Sequence, residues 1–305
     1  MPYQIEPALP EEHWLAQQLV CGGSTTESPD DSAEGGFGFT PRPATSTQFL
    51  VARGDGQLHA AVALEQRAPG LVSLGLPPMM AVPAALRTEL FQAAVDVAQQ
   101  AGRGLIAMFA PQDVVMAKVA AELDFQRVAE IAFQERALSE PLTDAPRDLT
   151  LHEASSAELT SVIDLTLCDS RDCPGLQPVM GAAEMLDGFE QRAPAHQRAW
   201  YRVERSGATV GCLLLNEGSG EGEMELAYMG VLPSARGRGL GAALVRAAIH
   251  LARARRCRRL MLAVDLSNAP ALQLYAAAGF VEVGRRTLWL RIASRSGDAT
   301  PSRGQ

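Results

Sequence analysis

An apolar run, a turn crowded with glycine and arginine, and an apolar-periodic helix follow one another without a break between Met224 and Arg255. Met224 to Val231 reads as a strand. Val231-Leu-Pro-Ser-Ala-Arg-Gly-Arg-Gly-Leu-Gly-Ala242 is the turn, and a helix then runs from about Leu240 to Arg255. Glycine lets a backbone come close to a ligand. The first-turn N–H groups of a helix have no intrahelical partner and point outward, and the helix dipole adds partial positive charge there. The segment predicts an anion site suited to a pyrophosphate.

Three nucleotide readings compete for it. A P-loop needs a lysine after its glycines, and none follows here. A dinucleotide fingerprint needs G-x-G-x-x-G. Gly237, Gly239 and Gly241 give G-x-G-x-G instead, although Asp265 lies roughly where an acidic ribose ligand would be. The third reading is the pyrophosphate of coenzyme A.

Here the residues resemble the GNAT superfamily of acyl-CoA N-acyltransferases. Arg236, Gly239 and Gly241 fill its [R/Q]-x-x-G-x-[G/A] signature, with Val231 and Pro233 ahead of it. Asn268-Ala-Pro-Ala-Leu-Gln-Leu-Tyr-Ala-Ala-Ala-Gly-Phe280 is similar to the family's N-x-x-A-x-x-x-Y-x-x-x-G-F block, after the strand Arg259 to Val264. The resemblance implies an α/β (α+β) fold, with a mixed, mostly antiparallel twisted sheet flanked by helices.

A shift of the chain by 155 positions changes the reading of domains. Leu71 to Pro78 then lies over Leu226 to Pro233, and Gly104 to Met108 over Arg259 to Ala263. Asp113 falls on Asn268, and Asp124-Phe125 on Gly279-Phe280. Two tandem GNAT folds are expected: a degenerate copy over residues 1–140, a linker at 141–148, a catalytic copy over 149–292 and a disordered polar tail over 293–305. Ala81 to Arg87 replaces the glycine turn in the first copy, Pro83 lacks an N–H to donate, and Ala120 replaces Tyr275. A structural role is expected for that copy. The organisation is similar to that of mycothiol synthases, in architecture alone. Gly22 to Thr47 reads as a long loop, and the strands Phe49–Arg53 and Leu58–Glu65 as a hairpin around Gly54-Asp55-Gly56.

For the second copy the resemblance implies acetyl-CoA as co-substrate and no metal. Arg236, Gly237, Arg238, Gly239, Leu240, Gly241 and Ala242 would hold the pyrophosphate through backbone N–H groups. Met229, Gly230 and Val231 would offer backbone groups to the pantetheine arm and thioester. Asn268 is either a helix N-cap or a pantetheine contact, or both. Tyr275 matches the tyrosine near the CoA sulfur and would protonate the leaving thiolate; the plainer reading packs it with Leu272 and Phe280. Glu225 lies where some relatives carry a catalytic base. Period two puts Glu225, Ala227, Met229 and Val231 on one face, with Tyr228 on the other as a core residue. The alternative for Glu225 is an exposed strand-end acid beside Glu221 and Glu223.

The run Arg253, Arg255, Arg256, Arg258 and Arg259 suits a helix C-terminus, or else the CoA 3′-phosphate or an acidic partner. The resemblance implies that the segment Leu167 to Arg192 sets specificity, and Thr166, Asp169, Asp172, Glu184, Asp187 and Glu190 give this region an acidic bias that suits either a cationic amine or an ordinary solvated helix face. A net charge of −8 argues against general nucleic-acid binding. No signal peptide or membrane-length apolar run is evident. Five irregularly spaced cysteines argue for free thiols in a reducing cytoplasm. The expected activity is acetyl transfer to a primary amine of a small molecule, by a monomer or homodimer. The alternatives are an acyl-CoA-binding sensor and a protein or peptide N-acetyltransferase.

Overall fold

A computed structural model describes residues 3–21, 47–68, 70–78, 80–139, 146, 148–218 and 220–293. The loop expected at Gly22 to Thr47 (save Thr47), most of the 141–148 linker and the tail from residue 294 lie outside the described residues.

Along the first half run β1 (Gln4–Pro7), α1 (His13–Cys21), β2 (Gln48–Gly54), β3 (Gln57–Ala68), β4 (Leu71–Gly75), α2 (Ala84–Gln100), β5 (Gly104–Phe109), α3 (Val114–Glu122) and β6 (Gln126–Ala137). The second half has β7 (Thr150–Glu153), α4 (Ser156–Leu167), α5 (Ala182–Arg192), β8 (Arg198–Arg205), β9 (Ala208–Glu217), β10 (Glu223–Val231), α6 (Leu240–Ala254), β11 (Arg259–Asp265), α7 (Ala269–Ala277) and β12 (Val281–Arg291). The expected hairpin is β2–β3. Asp55 and Gly56 turn it at φ 50° and 77°, as a two-residue loop matched to strand twist requires.

Contacts divide the chain into two units. The first takes the described residues within Met1–Ser32, Ser46–Arg127 and Leu288–Gln305, and the second takes Val128–Thr287 apart from its undescribed positions. This division differs from the order of the two repeats at one strand each. From Val128 on, β6 belongs to the second unit, where Ile131 to Ala137 pairs antiparallel with Asp265 to Arg259. From Leu288 on, β12 belongs to the first unit, beside β5.

In the first unit the strand order is β1-β2-β3-β4-β5-β12. The pairs are antiparallel from β1 to β4, and β4–β5 is parallel. The face under α2 and α3 buries Val62, Leu90, Phe91, Phe109 and Phe125, with Trp289 of β12 packed on it. Phe91 meets Phe109 edge-on at 5.6 Å, a favoured geometry for aromatic quadrupoles. The face under α1 buries Ala16, Phe49, Val51 and Ala61.

In the second unit the order is β6-β11-β10-β9-β8-β7, with β10–β11 the parallel pair. β9 shows the two-faced pattern directly. Leu213 and Leu215 pack under α6 with Leu244, Ala248 and Leu262, while Cys212 and Leu214 pack under α4 and α5 with Leu159, Ile163 and Trp200. The indole N–H of Trp200 donates to Asn216 Oδ1 at 2.9 Å, which satisfies a polar group that burial would otherwise strand. Among the described residues no helix is long and apolar enough to cross a membrane.

Candidate active site

The two parallel strand pairs differ in one respect that makes a site in one unit. β4 and β5 stay paired from Leu71–Gly104 to Leu74–Ala107, nearly the whole of β4. β10 and β11 pair only from Glu223–Arg259 to Glu225–Met261, and then part although both strands continue. A bulge lies between Leu226 and Tyr228 on the β9 side, so Ala227 has no partner there. An extra residue at a bulge bends its strand and re-aims the side chains beyond it. Beyond Glu225 the β10 edge that faces β11 has no ladder partner. A cavity of about 510 Å³ occupies the parting, and its wall includes Thr166, Asp172, Tyr228, Met229, Asn268 and Tyr275.

The glycine turn lies just past the end of β10. Gly237 and Gly239 hold φ of 74° and 75°, the left-handed region where a side chain is strained, and a Cβ at either would meet nothing within 4 Å. Backbone conformation, not crowding, is what requires glycine there. Gly239 is the N-cap of α6. Among the described residues no side chain caps the outward N–H groups of that first turn.

Arg236 uses its side chain differently from its neighbours. Nε donates to the Val231 carbonyl at 3.1 Å, and Nη2 to the carbonyls of Thr166 at 2.9 Å and Cys168 at 3.0 Å. Gly230 is where α4 crosses β10 most closely. A Cβ on Gly230 would lie 2.5 Å from Thr166 Oγ1 and 2.7 Å from its Cβ. Thr166 Oγ1 donates to the Ile163 carbonyl at 2.9 Å, and so accepts from the Tyr228 hydroxyl at 2.8 Å.

The bulge corrects one expectation about Glu225. Counting by two puts Glu225 on a face with Met229 and Val231. In the structure Met224 and Leu226 lie on the α6 side, and so do Met229 and Val231, while Tyr228 packs on the α4 side. Glu225 pairs with Asn216, the acceptor of the Trp200 N–H, so it shares the α4-side face with Tyr228 and is opposite Met229 and Val231. Tyr228, expected wholly in the core, lines the cavity. Glu225 does not line the cavity and stands at the last β10–β11 pair, where the strands begin to part.

Tyr275 is buried against Phe280, ring centroids 5.7 Å apart, yet lines the cavity. Its hydroxyl has no hydrogen-bond partner among the described residues. Burial, and next the negative charge of Asp172, push this phenol well above its ordinary range. Asn268 caps α7, accepting from the Ala271 N–H at 3.4 Å, and also lines the cavity. Both readings of Asn268 are thus compatible with its place.

Sequence reasoning missed a clasp between the α4–α5 segment and the end of β11. Asp172 accepts the Asp265 N–H at 3.1 Å, and Asp265 accepts the N–H groups of Cys173 at 3.1 Å and Ser267 at 2.8 Å. Asp172 reaches solvent through the cavity but is crowded by protein on most sides. That desolvation, with the charge of Asp265 beside it, raises its carboxyl above the usual range. Of the six residues in the acidic-biased region, Thr166, Asp169 and Asp172 reach the cavity wall. Glu184 instead accepts the Gly181 N–H at the start of α5, and Glu190 pairs with Arg198 at 2.9 Å.

Four of the five arginines in the run are committed elsewhere. Arg253 donates to Leu138, Arg255 to Arg198 and Arg258 to Glu221, all backbone carbonyls, and Arg259 pairs with Glu223 and Glu135. The run begins at the far end of α6, about 22 Å from the turn at 1.5 Å per residue.

In the first unit a buried ion pair stands at the equivalent place. Arg87, in register with Ala242, meets Asp113, in register with Asn268, at 2.6 Å, with side-chain exposures of 5% and 3%. α2 follows Pro83 without a glycine turn, and no side chain caps it.

Comparison with known proteins agrees with this architecture. Residues 168–280 match the model of the Acetyltransferase (GNAT) family. The mycothiol acetyltransferase of Acidothermus cellulolyticus is 40% identical over 88 residues, which is 28% of this chain and 27% of that protein. The aminoglycoside N(6′)-acetyltransferase type 1 of Klebsiella aerogenes is 46% identical over 55 residues, 18% of this chain and 36% of that protein. The chain thus spans about a quarter to a third of the length of these two relatives. A tandem GNAT protein from the clavulanic acid biosynthesis pathway, solved without acetyl-CoA, aligns with a TM-score of 0.64 over 96% of this chain and 99% of its own, at 19% identity. That likeness is one of fold. The chain therefore has a tandem GNAT fold, and the segment that bears its parted strands and glycine turn belongs to the acetyltransferase (GNAT) family.

Proposed function

We propose that the second repeat is an N-acetyltransferase that moves an acetyl group from acetyl-CoA to a primary amine of a small molecule, by direct attack in a ternary complex. The observation that carries this reading is the parting of β10 and β11 beside an uncapped helix N-terminus. The shape fits the substrate. The turn from Arg236 to Ala242 offers N–H groups to a pyrophosphate, and the unpaired edge at Met229, Gly230 and Val231 offers amide groups to a pantetheine arm. An N–H on that edge would stabilise the oxyanion that forms from the thioester carbonyl. Asn268 stands at the same wall.

Glu225, at the fork of the strands but outside the cavity lining, takes one proton from the acceptor ammonium through water and passes it to solvent. The neutral amine attacks the thioester carbonyl, a C–N bond forms and the C–S bond breaks. Tyr275 gives its proton to the departing thiolate and regains one from the acylated nitrogen. Burial keeps the phenol protonated throughout the working pH range. The same low-dielectric surroundings raise the basicity of a thiolate, so the transfer stays matched. Names of relatives that act on mycothiol and aminoglycosides support a small amine as acceptor. Five unbridged cysteines suit a reducing compartment such as the cytoplasm. The first repeat, with an ion pair where the second has an open wall, serves as structure.

Calorimetric titration with acetyl-CoA and amine-dependent CoA release test this together. One site per chain, and a Tyr275→Phe variant that binds acetyl-CoA normally but releases CoA at least tenfold more slowly, are expected. Binding without turnover on any amine would favour a sensor, and peptide acceptors would favour a protein acetyltransferase. Two sites would refute the structural role of the first repeat.

A further inference from the structure

We propose that the side chain of Arg236, the first residue of the glycine signature, positions the acceptor-side wall and is not itself a ligand of the phosphate. The inference rests on the acetyltransferase reading only in assigning the two sides of the cavity.

Two of the three carbonyls that Arg236 holds belong to Thr166 and Cys168, at the C-terminal end of α4. Carbonyls there lack intrahelical partners, and the helix dipole favours a cation beside them. The third, Val231, ends β10. The residues that follow Cys168 in sequence, Asp169 to Asp172, form part of the cavity wall. The side chain of Thr166, whose carbonyl Arg236 also holds, fixes the Tyr228 hydroxyl. One guanidinium thus joins the base of the glycine turn, the end of the bulged strand and the root of the acceptor-side segment.

The chemistry of the side chain fits this work. A planar guanidinium presents several donors in a fixed fork, and two of its nitrogens serve three carbonyls here. A phosphate asks less, because a lysine ammonium satisfies it as a point charge. An anion seated on the turn restrains the Arg236 backbone, and the fork passes that restraint to residues 166–172. Any such coupling is reciprocal, so an ordered acceptor wall tightens the hold on the anion.

The test uses Arg236→Lys and Arg236→Gln in the full chain. Amide exchange over residues 163–172 is followed with and without acetyl-CoA, and acetyl-CoA affinity is measured by calorimetry. Arg236 is an exposed residue outside the packed core clusters, so both variants should fold. Lysine and glutamine are expected to behave alike, with exchange over 166–172 about tenfold faster than wild type and no longer slowed by acetyl-CoA. Their acetyl-CoA affinity should stay within about threefold of wild type. Wild-type affinity in the lysine variant with a large loss in the glutamine variant would overturn the proposal, because charge on a phosphate would then be the role. Unchanged protection in both variants would overturn it too. A wild-type chain that fails to bind acetyl-CoA would instead sink the acetyltransferase reading, while exchange in the free protein would still decide the role of the fork.

Discussion

Replacing Gly230 by alanine tests the packing that brings α4 onto the bulged strand. The new Cβ would lie 2.5 Å from Thr166 Oγ1, 2.7 Å from its Cβ and 2.9 Å from its Cγ2. All three distances are well inside van der Waals contact, and two involve the branches of a side chain that is stiff at χ1. Threonine cannot swing away without losing its bonds to the Ile163 carbonyl and the Tyr228 hydroxyl. Overpacking of this kind costs about 1–3 kcal/mol, and a lost hydrogen bond adds about 0.5–1.5 kcal/mol. The sum is about 2–4 kcal/mol, or a Tm lower by roughly 5–15 °C in a unit of this size. Thermal or urea melts of the single variants and of Gly230→Ala with Thr166→Gly form a double-mutant cycle. Thr166→Gly removes all three clashing atoms at a helix-propensity cost of about 0.3–0.5 kcal/mol. A favourable coupling of about 1–3 kcal/mol is expected. If the two changes add within about 0.5 kcal/mol, Thr166 is not what demands glycine at this position, and the close crossing is refuted.

Gly239→Ala should weaken acetyl-CoA binding and cost about 1–2 kcal/mol of stability, because alanine must adopt φ near 75°. Unchanged affinity by calorimetry would remove the turn from the site. Arg87→Ala should destabilise by about 3–5 kcal/mol through an unpaired buried Asp113, while acetyl-CoA affinity stays as in wild type. A change in affinity would show that the first repeat takes part in binding. Asp172 has a raised folded pKa, so its charge opposes folding as pH rises from the unfolded value near 4. Asp172→Asn should therefore raise Tm at pH 7, with the gain vanishing near pH 3.5. A gain of equal size at both pH values would refute the electrostatic cause.

Much of the second repeat is legible in the order of its residues. The turn from Arg236 to Ala242 announces itself because few sequences place glycines so densely between an apolar strand and an apolar-periodic helix. The start of α7 is legible because Asn268-Ala-Pro carries both a cap and a proline at a position where neither costs a hydrogen bond. The face of Glu225 was not legible. A count by two assumes that each residue of β10 meets one of β9, and the bulge at Ala227 breaks that count without a glycine or proline to mark it. The bond from the Asp265 N–H to Asp172 spans 93 positions, and no local pattern signals so distant a meeting. The division of β6 and β12 between the units was hidden for a related reason. Strand partners so far apart in sequence leave no local mark, and only the pairing in space shows them. Arg236 was visible as a motif residue, but a signature records that arginine recurs there, not where its side chain points.

The place of β12 has a consequence for how this protein is made. A ribosome adds residues in order, and the first unit stays short of its sixth strand until Leu288 to Arg291 has emerged. Until then β5 presents an open edge, and Phe109 lacks the indole of Trp289 that lies 6.4 Å from its ring. Open edges beside exposed aromatic surface are where nascent chains capture one another. The half of the protein synthesised first is thus the half completed last. A chain cut short before Leu288 should burden chaperones and proteases through its amino-terminal half, even though the lost residues lie at the other end of the sequence.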